Sequence, residues 1–252
     1  MGGISLRHPA CISALCTWLL VGAASANADQ PLTIVADEWP PFSGEALPGK
    51  GISVDVVVSV MRRAGYEIEG EIRPWARIVA DAKSGKPNLV GSLFLDPEME
   101  QHLAYADPYF VTSVKFLRKS GGTAAWSDLT SLEPYSIAVG AGFLYEENFD
   151  RAETLNKVEV TTTLQGVRMV AHGRVDLTLD SEHVIGHAIR TEDPALADQV
   201  EFLDPPLTVQ HIHVAVPRTL ENHEQIVADF NRVLAEMQAD GSLAKLLEKH
   251  VN

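Results

Sequence analysis

The chain has 252 residues, 46% of them hydrophobic and 21% charged, a balance that supports a sizeable buried core without metal or disulfide. A net charge of −14 argues against nucleic acid as a partner, because phosphate backbones demand clustered Lys and Arg. Both cysteines, Cys11 and Cys16, fall in the first 28 residues, so the rest of the chain has no thiol chemistry and no cysteine-ligated zinc.

Residues 1–28 read as a cleaved signal peptide. Arg7 supplies the positive charge, residues 10–21 form an apolar run too short to span a bilayer comfortably, and Ala26-Asn27-Ala28 is a small-residue cleavage site. The expected destination is the periplasm, with Asp29 as the first mature residue.

Residues 32–36 (LTIVA) are apolar and rich in β-branched side chains, the pattern of a buried parallel strand. The next stretch, Asp37-Glu38-Trp39-Pro40-Pro41-Phe42, contains two prolines that exclude both strand and helix. Open α/β sheets bind ligands in loops at the carboxyl ends of their strands. Trp39 is therefore a candidate stacking face and Glu38 a weaker polar candidate, whereas Phe42 is expected to plug the end of the sheet. The 3.6-residue spacing predicts a helix over 53–64, closed by Gly65. A strand over 67–73 and a helix from Pro74 to Ser84 follow. A third strand over 88–92 ends on Ser92, a candidate hydrogen-bond donor. This is β-α-β-α-β, the signature of a parallel sheet with helical crossovers.

Asp96-Pro97-Glu98 fits a helix start, with Asp as N-cap and Pro at the first helical position. Asp107-Pro108-Tyr109 breaks that pattern, and residues 109–117 read as a strand. A short helix is expected from Ser127. Further strands are expected over 135–139, 157–161, 175–179 and 200–203, alternating with helices over 143–152, 164–172 and 181–190. This second β-α-β-α-β set implies a second lobe. The strand over 209–216 then has no partner left in that lobe. The two last helices, over 221–238 and 242–249, must pack back on the first sheet. The chain therefore crosses twice, by hinge strands near 111–118 and 209–216. Lobe 1 is expected over 29–113 plus 214–252, and lobe 2 over 114–213.

In this order the motifs resemble the family 3, polar amino-acid type of extracytoplasmic solute-binding proteins, in a divergent form. The matching stretches are LTIVADEWPPF, GISVD at 51–55, PWARIVADAKSGK, DPEMEQHLAYADPYF, Gly173-Arg174-Val175-Asp176, and Ala239 to Leu243 (ADGSL). The resemblance covers residues 29–252 and implies the α/β, two-lobed type II periplasmic-binding fold. It also implies a monomer that closes on a small polar ligand, an amino acid or related compound, and delivers it to the permease of an ABC importer. It implies departures too. The family's carboxylate-gripping arginine falls on Met99, its small-hydroxyl pair on Phe143 and Leu144, and its ammonium-binding aspartate on Ser181, with Asp180 one position early. Methionine offers apolar contact only. The backbone N–H groups at the start of the helix expected from 143 remain available to an anion. Arg77 is a candidate anion anchor in place of the lost arginine, or a surface arginine. Asp180 is a candidate partner for a cation, and Tyr145 a weaker contact.

Two other chemistries stay open. His183 and His187 share a predicted helix face, and His211 and His213 a strand face, which is credible spacing for zinc if the fold unites the pairs. No nucleophile elbow, HExxH or P-loop is present, so an enzyme is not expected, although a ligand-sensing or dehydratase-like protein on the same fold remains an alternative. No cofactor is implied.

Overall fold

A computed structural model describes residues 1–3, 31–86 and 88–251. The apolar run and cleavage site of the expected signal peptide lie outside these residues. β1 (Leu32–Ala36) pairs in parallel with β2 (Ile68–Ile72) on one side and β3 (Asn88–Leu93) on the other. The crossovers are α1 (Ile52–Arg63) and α2 (Trp75–Lys83). The valines of α1 recur at helical spacing, and Val54, Val56, Val57 and Val60 are all buried. Each such burial is worth about 1.5–3 kcal/mol, so the amphipathic face holds the helix to the sheet.

The stretch from Asp96, expected to open a short helix, forms one 3-10 turn, Met99–Gln101. It leads into β4 (Leu103–Tyr105), a strand absent from the sequence-based expectation. β5 (Phe110–Lys119) then carries the chain across to a second set of elements. These are β6 (Ser136–Gly140), α3 (Glu147–Arg151), β7 (Asn156–Val160), α4 (Thr163–Ala171), β8 (Leu177–Ser181), α5 (Glu182–Glu192) and β9 (Val200–Phe202). β10 (Thr208–Pro217) returns, and α6 (His223–Ala239) and α7 (Ser242–Val251) complete the chain.

The strands run in the order β2-β1-β3-β10-β5-β8-β6-β7, with β4 on β10 and β9 on β5. β5 and β10 are antiparallel neighbours in register from Val114 opposite Thr208 to Phe110 opposite Ile212. Parallel strands flank this central pair on both sides, which is the two-lobed type II periplasmic-binding fold with two crossover strands. As expected, α6 and α7 pack on the first sheet. Phe230, Leu234, Leu243 and Leu246 share one buried cluster with Ile34, Val57 and Met61. The second set has its own clusters, one around Val167 and Ile185 and one around Phe116, Phe149 and Leu179.

Three more expected elements differ. The helix over 143–152 shrinks to α3, because Gly142 adopts a left-handed φ of 75° and Glu146 caps the helix by accepting from the Phe149 N–H at 3.0 Å. The helix from Ser127 is replaced by a 3-10 turn at Thr130–Leu132, where Asp128 Oδ1 accepts from the Ser131 N–H. The strand over 175–179 lies two residues further on as β8, so Ser181 both ends the strand and caps α5.

Candidate functional site

The strand ends converge on one cavity of 460 Å³. Its walls come from the loops after β1 and β3, from the turn after β6, from the end of β8 and from the crossover strands. Five of the six residues singled out in the sequence line it: Glu38, Trp39, Ser92, Tyr145 and Asp180.

After β1 the backbone turns sharply, with the Trp39 N–H donating to the Ser43 carbonyl at 2.8 Å and the Ser43 N–H returning to the Trp39 carbonyl at 3.0 Å. This fold-back presents the Trp39 ring beside Phe42 (centroids 4.4 Å apart) and edge-on to Phe94 (5.5 Å). Phe42 itself is fully buried against Phe110, the plug its position suggested. Glu38 is exposed at the rim, and one of its carboxylate oxygens accepts the Glu45 N–H at 3.2 Å. Ser92 has a φ of 58°, a left-handed conformation uncommon for a residue other than glycine. Its hydroxyl donates to Ser43 Oγ at 3.1 Å, and its N–H donates to Tyr109 Oη at 3.2 Å. Ser92 is therefore a tie between the two ligand-facing loops as well as part of the wall.

Met99 also lines the cavity, yet only 4% of it is exposed, because it packs with Val35, Ile78, Val90 and Leu103. The position holds core contact in place of charge. Arg77 does not line the cavity. It is exposed on α2, with Nε 3.1 Å from Asp81 one helical turn on, in a surface ion pair away from the cavity.

On the opposite wall the Gly140 N–H donates to Tyr145 Oη at 2.8 Å, and the Phe143 ring lies nearly parallel to that of Tyr145. A side chain at Gly140 would stand 2.8 Å from the Phe143 ring, which would have to shift to admit it. Phe143 and Leu144 are exposed, and no helix begins there. The helix end that was expected to hold an anion is absent from this wall. Asp180, at the end of β8, accepts from Thr163 Oγ1 at 2.6 Å and from the Ser181 N–H at 2.7 Å. Burial still dominates and raises its pKa to about 6. Burial also raises the pKa of Asp37, with the neighbouring Glu38 charge adding to it. Tyr145 is pushed up as well, by burial first and by the Asp180 charge second, so it stays a neutral phenol.

Several lining residues were not singled out as site candidates in the sequence. Trp75 and Phe94 add aromatic surface, Asp37 and Asp96 add carboxylates, and Gln210 reaches in from β10 while donating to the Tyr145 carbonyl at 3.2 Å. Position after a strand end marks Asp37; Gln210 is placed only by the pairing of β10 with β5. The four histidines do not assemble. His183 Nδ1 lies 3.1 Å from Thr112 Oγ1, while His213 is buried with Nδ1 2.8 Å from the Ala106 carbonyl. Among the described residues, no three His, Cys, Asp or Glu side chains are grouped to hold a metal ion.

The family model for bacterial extracellular solute-binding proteins, family 3, matches residues 32–252. The L-cystine-binding protein TcyJ of Escherichia coli (strain K12) is 24% identical over 218 residues, covering 84% of this chain and 78% of that protein. A histidine kinase sensor domain described as similar to periplasmic binding proteins superimposes with a TM-score of 0.70 at 17% identity, over 88% of this chain and 96% of the other. The GluR0 ligand-binding core from Nostoc punctiforme, in complex with L-glutamate, gives 0.67 at 18% identity, over 87% and 98%.

Proposed function

Because the chain belongs to the family 3 bacterial extracellular solute-binding proteins, we propose that it captures a small polar solute in the cavity between its lobes and hands it to the permease of an ABC-type importer. The observation that carries this reading is the cavity itself. Both sides of the crossover pair contribute walls, so one ligand touches both lobes and favours their closure by differential contact. Binding rather than turnover fits a wall made of aromatic faces and hydrogen-bonding groups. Work outside the cytoplasm after removal of residues 1–28 fits the same reading, as does a monomer hinged on β5 and β10. Lobe limits near 113 and 214 fit the same reading.

A thermal-shift screen over amino acids, amines, small carboxylates and divalent metals tests the reading. A ligand at a hundredfold its Kd stabilises the fold by about 2.7 kcal/mol. Trp39→Ala is expected to weaken binding of any hit about tenfold or more, the usual scale of a lost buried aromatic contact. A hit whose calorimetric affinity survives that change binds elsewhere.

A further inference from the structure

The solute-binding reading leaves the class of solute open, and the charges of the cavity narrow it. Four carboxylates line it, Asp37, Glu38, Asp96 and Asp180, and among the described lining residues there is no Lys, Arg or His. Among the described residues none of the four is in an ion pair, although Asp81, Glu201 and Asp229, all outside the cavity, each have at least one. Asp180 is nine-tenths buried and meets only neutral donors. Lys115 stands opposite Asp180 in the strand register, but its ammonium goes to Glu182 and Asp204. Asp37 has no side-chain partner among the described residues.

Two further observations bear on what answers these charges. Aromatic rings from both walls face the same space: Trp39, Trp75 and Phe94 on one side, Phe143 and Tyr145 on the other. Rings of this kind attract desolvated ammonium and guanidinium groups through their negative faces. The acids are spread round the cavity rather than gathered at a point, since no three of them could ligate one metal ion. Among the described lining residues no cationic side chain answers a ligand carboxylate. Met99 offers it no charge, Arg77 lies outside, and no helix starts at Phe143. It would enter a space of like charge with nothing to offset its lost hydration.

We propose that the cavity is selective for an organic cation with more than one positively charged nitrogen and no carboxylate, an aliphatic diamine, polyamine or guanidino-amine. The inference rests on the solute-binding reading and specifies its ligand. The carboxylates pair with the separate nitrogens while the aromatic walls cover the methylene chain between them. The cavity of 460 Å³ lies within the range that encloses small ligands.

Matched pairs differing only by the carboxylate test this directly by calorimetry on the purified protein: cadaverine against lysine, and agmatine against arginine. The amine of at least one pair is expected to bind at least tenfold more tightly than its amino acid, and to weaken with added salt. Asp37→Asn and Asp180→Asn, from opposite walls, should each lower that affinity at least tenfold while circular dichroism stays unchanged. An amino acid that binds as well as its amine overturns the proposal, as does binding of calcium or zinc alone. Silence of both amines at millimolar concentration overturns it too. If glutamate or cystine then shifts the melting temperature, solute capture stands without the cation; if no solute in the wider screen does, both readings fail.

Discussion

Asp180 carries a cost in the folded protein, which the proposed pairing with a ligand cation would offset. Its pKa rises from 3.8 to about 6 because burial outweighs the hydrogen bonds from Thr163 and Ser181. The native chain therefore keeps a proton there that the unfolded chain has released. The stability linked to this group is full below about pH 4 and lost as pH rises through about 6. Two pKa units correspond to about 3 kcal/mol. Asp180→Asn is thus expected to stabilise the ligand-free protein at pH 7 by about 1–3 kcal/mol and to flatten the slope between pH 4 and 6. Urea unfolding of both proteins at pH 4, 5, 6 and 7 reads this, and equal free energies at pH 7 would contradict it. Arg77→Ala gives the opposite control. Asp81 keeps Lys86 at 2.7 Å, so the change should cost less than about 0.5 kcal/mol and leave ligand affinity unaltered.

At the scale of elements, the site depends on helices held tight to the sheet. Gly166 on α4 faces Thr178 on β8, and an added Cβ would stand 2.5 Å from Thr178 Oγ1, which itself donates to the Ala138 carbonyl. Gly166→Ala is expected to push α4 away from β8 and destabilise by about 1–3 kcal/mol, the usual cost of overpacking, read as a lower melting temperature. What the sequence revealed at this scale follows a physical divide. β1, α1 and the crossover strands were legible because runs such as LTIVA and the valine spacing of α1 record burial directly. The helix over 143–152 was misread because GFLYEENF has helix-compatible residues, while the left-handed Gly142 and the Glu146 cap decide where the helix starts. Trp39 was legible as a ring on a loop after a strand. Arg77 was not, since its anion-binding and surface roles differ only in which way α2 turns it. Phe94, Asp96 and Gln210 join the site through tertiary approach, which leaves no local pattern.

At the scale of the whole molecule, solute capture as proposed would use the crossover pair as its axis of motion, with ligand contacts on both walls biasing it toward closure. The exposed rings of Trp75 and Phe143 stand at the cavity from opposite lobes, so closure brings apolar surface together. The radius of gyration from small-angle X-ray scattering is expected to fall when a saturating ligand is added. An unchanged profile with ligand bound would show that the lobes do not hinge.

The first core is assembled from the two ends of the chain, and this sets an order of events. Ile34, Val57 and Met61 come early, while Phe230, Leu234, Leu243 and Leu246, which share their cluster, come last. The buried residues of the second set's clusters lie between Val114 and Leu203. Contacts close in sequence form with less loop-closure entropy, so the middle of the chain should complete its core before the beginning does. Pulsed hydrogen exchange during refolding should protect amides of β6 and α4 before those of β1 and α1. Until α6 and α7 arrive, the part of α1 that packs on them stays bare, although its contacts with β1, β2 and β3 can already form. A chain ended after Pro217 should accordingly retain a folded middle, bind dyes that report exposed apolar surface, and aggregate through its oldest residues.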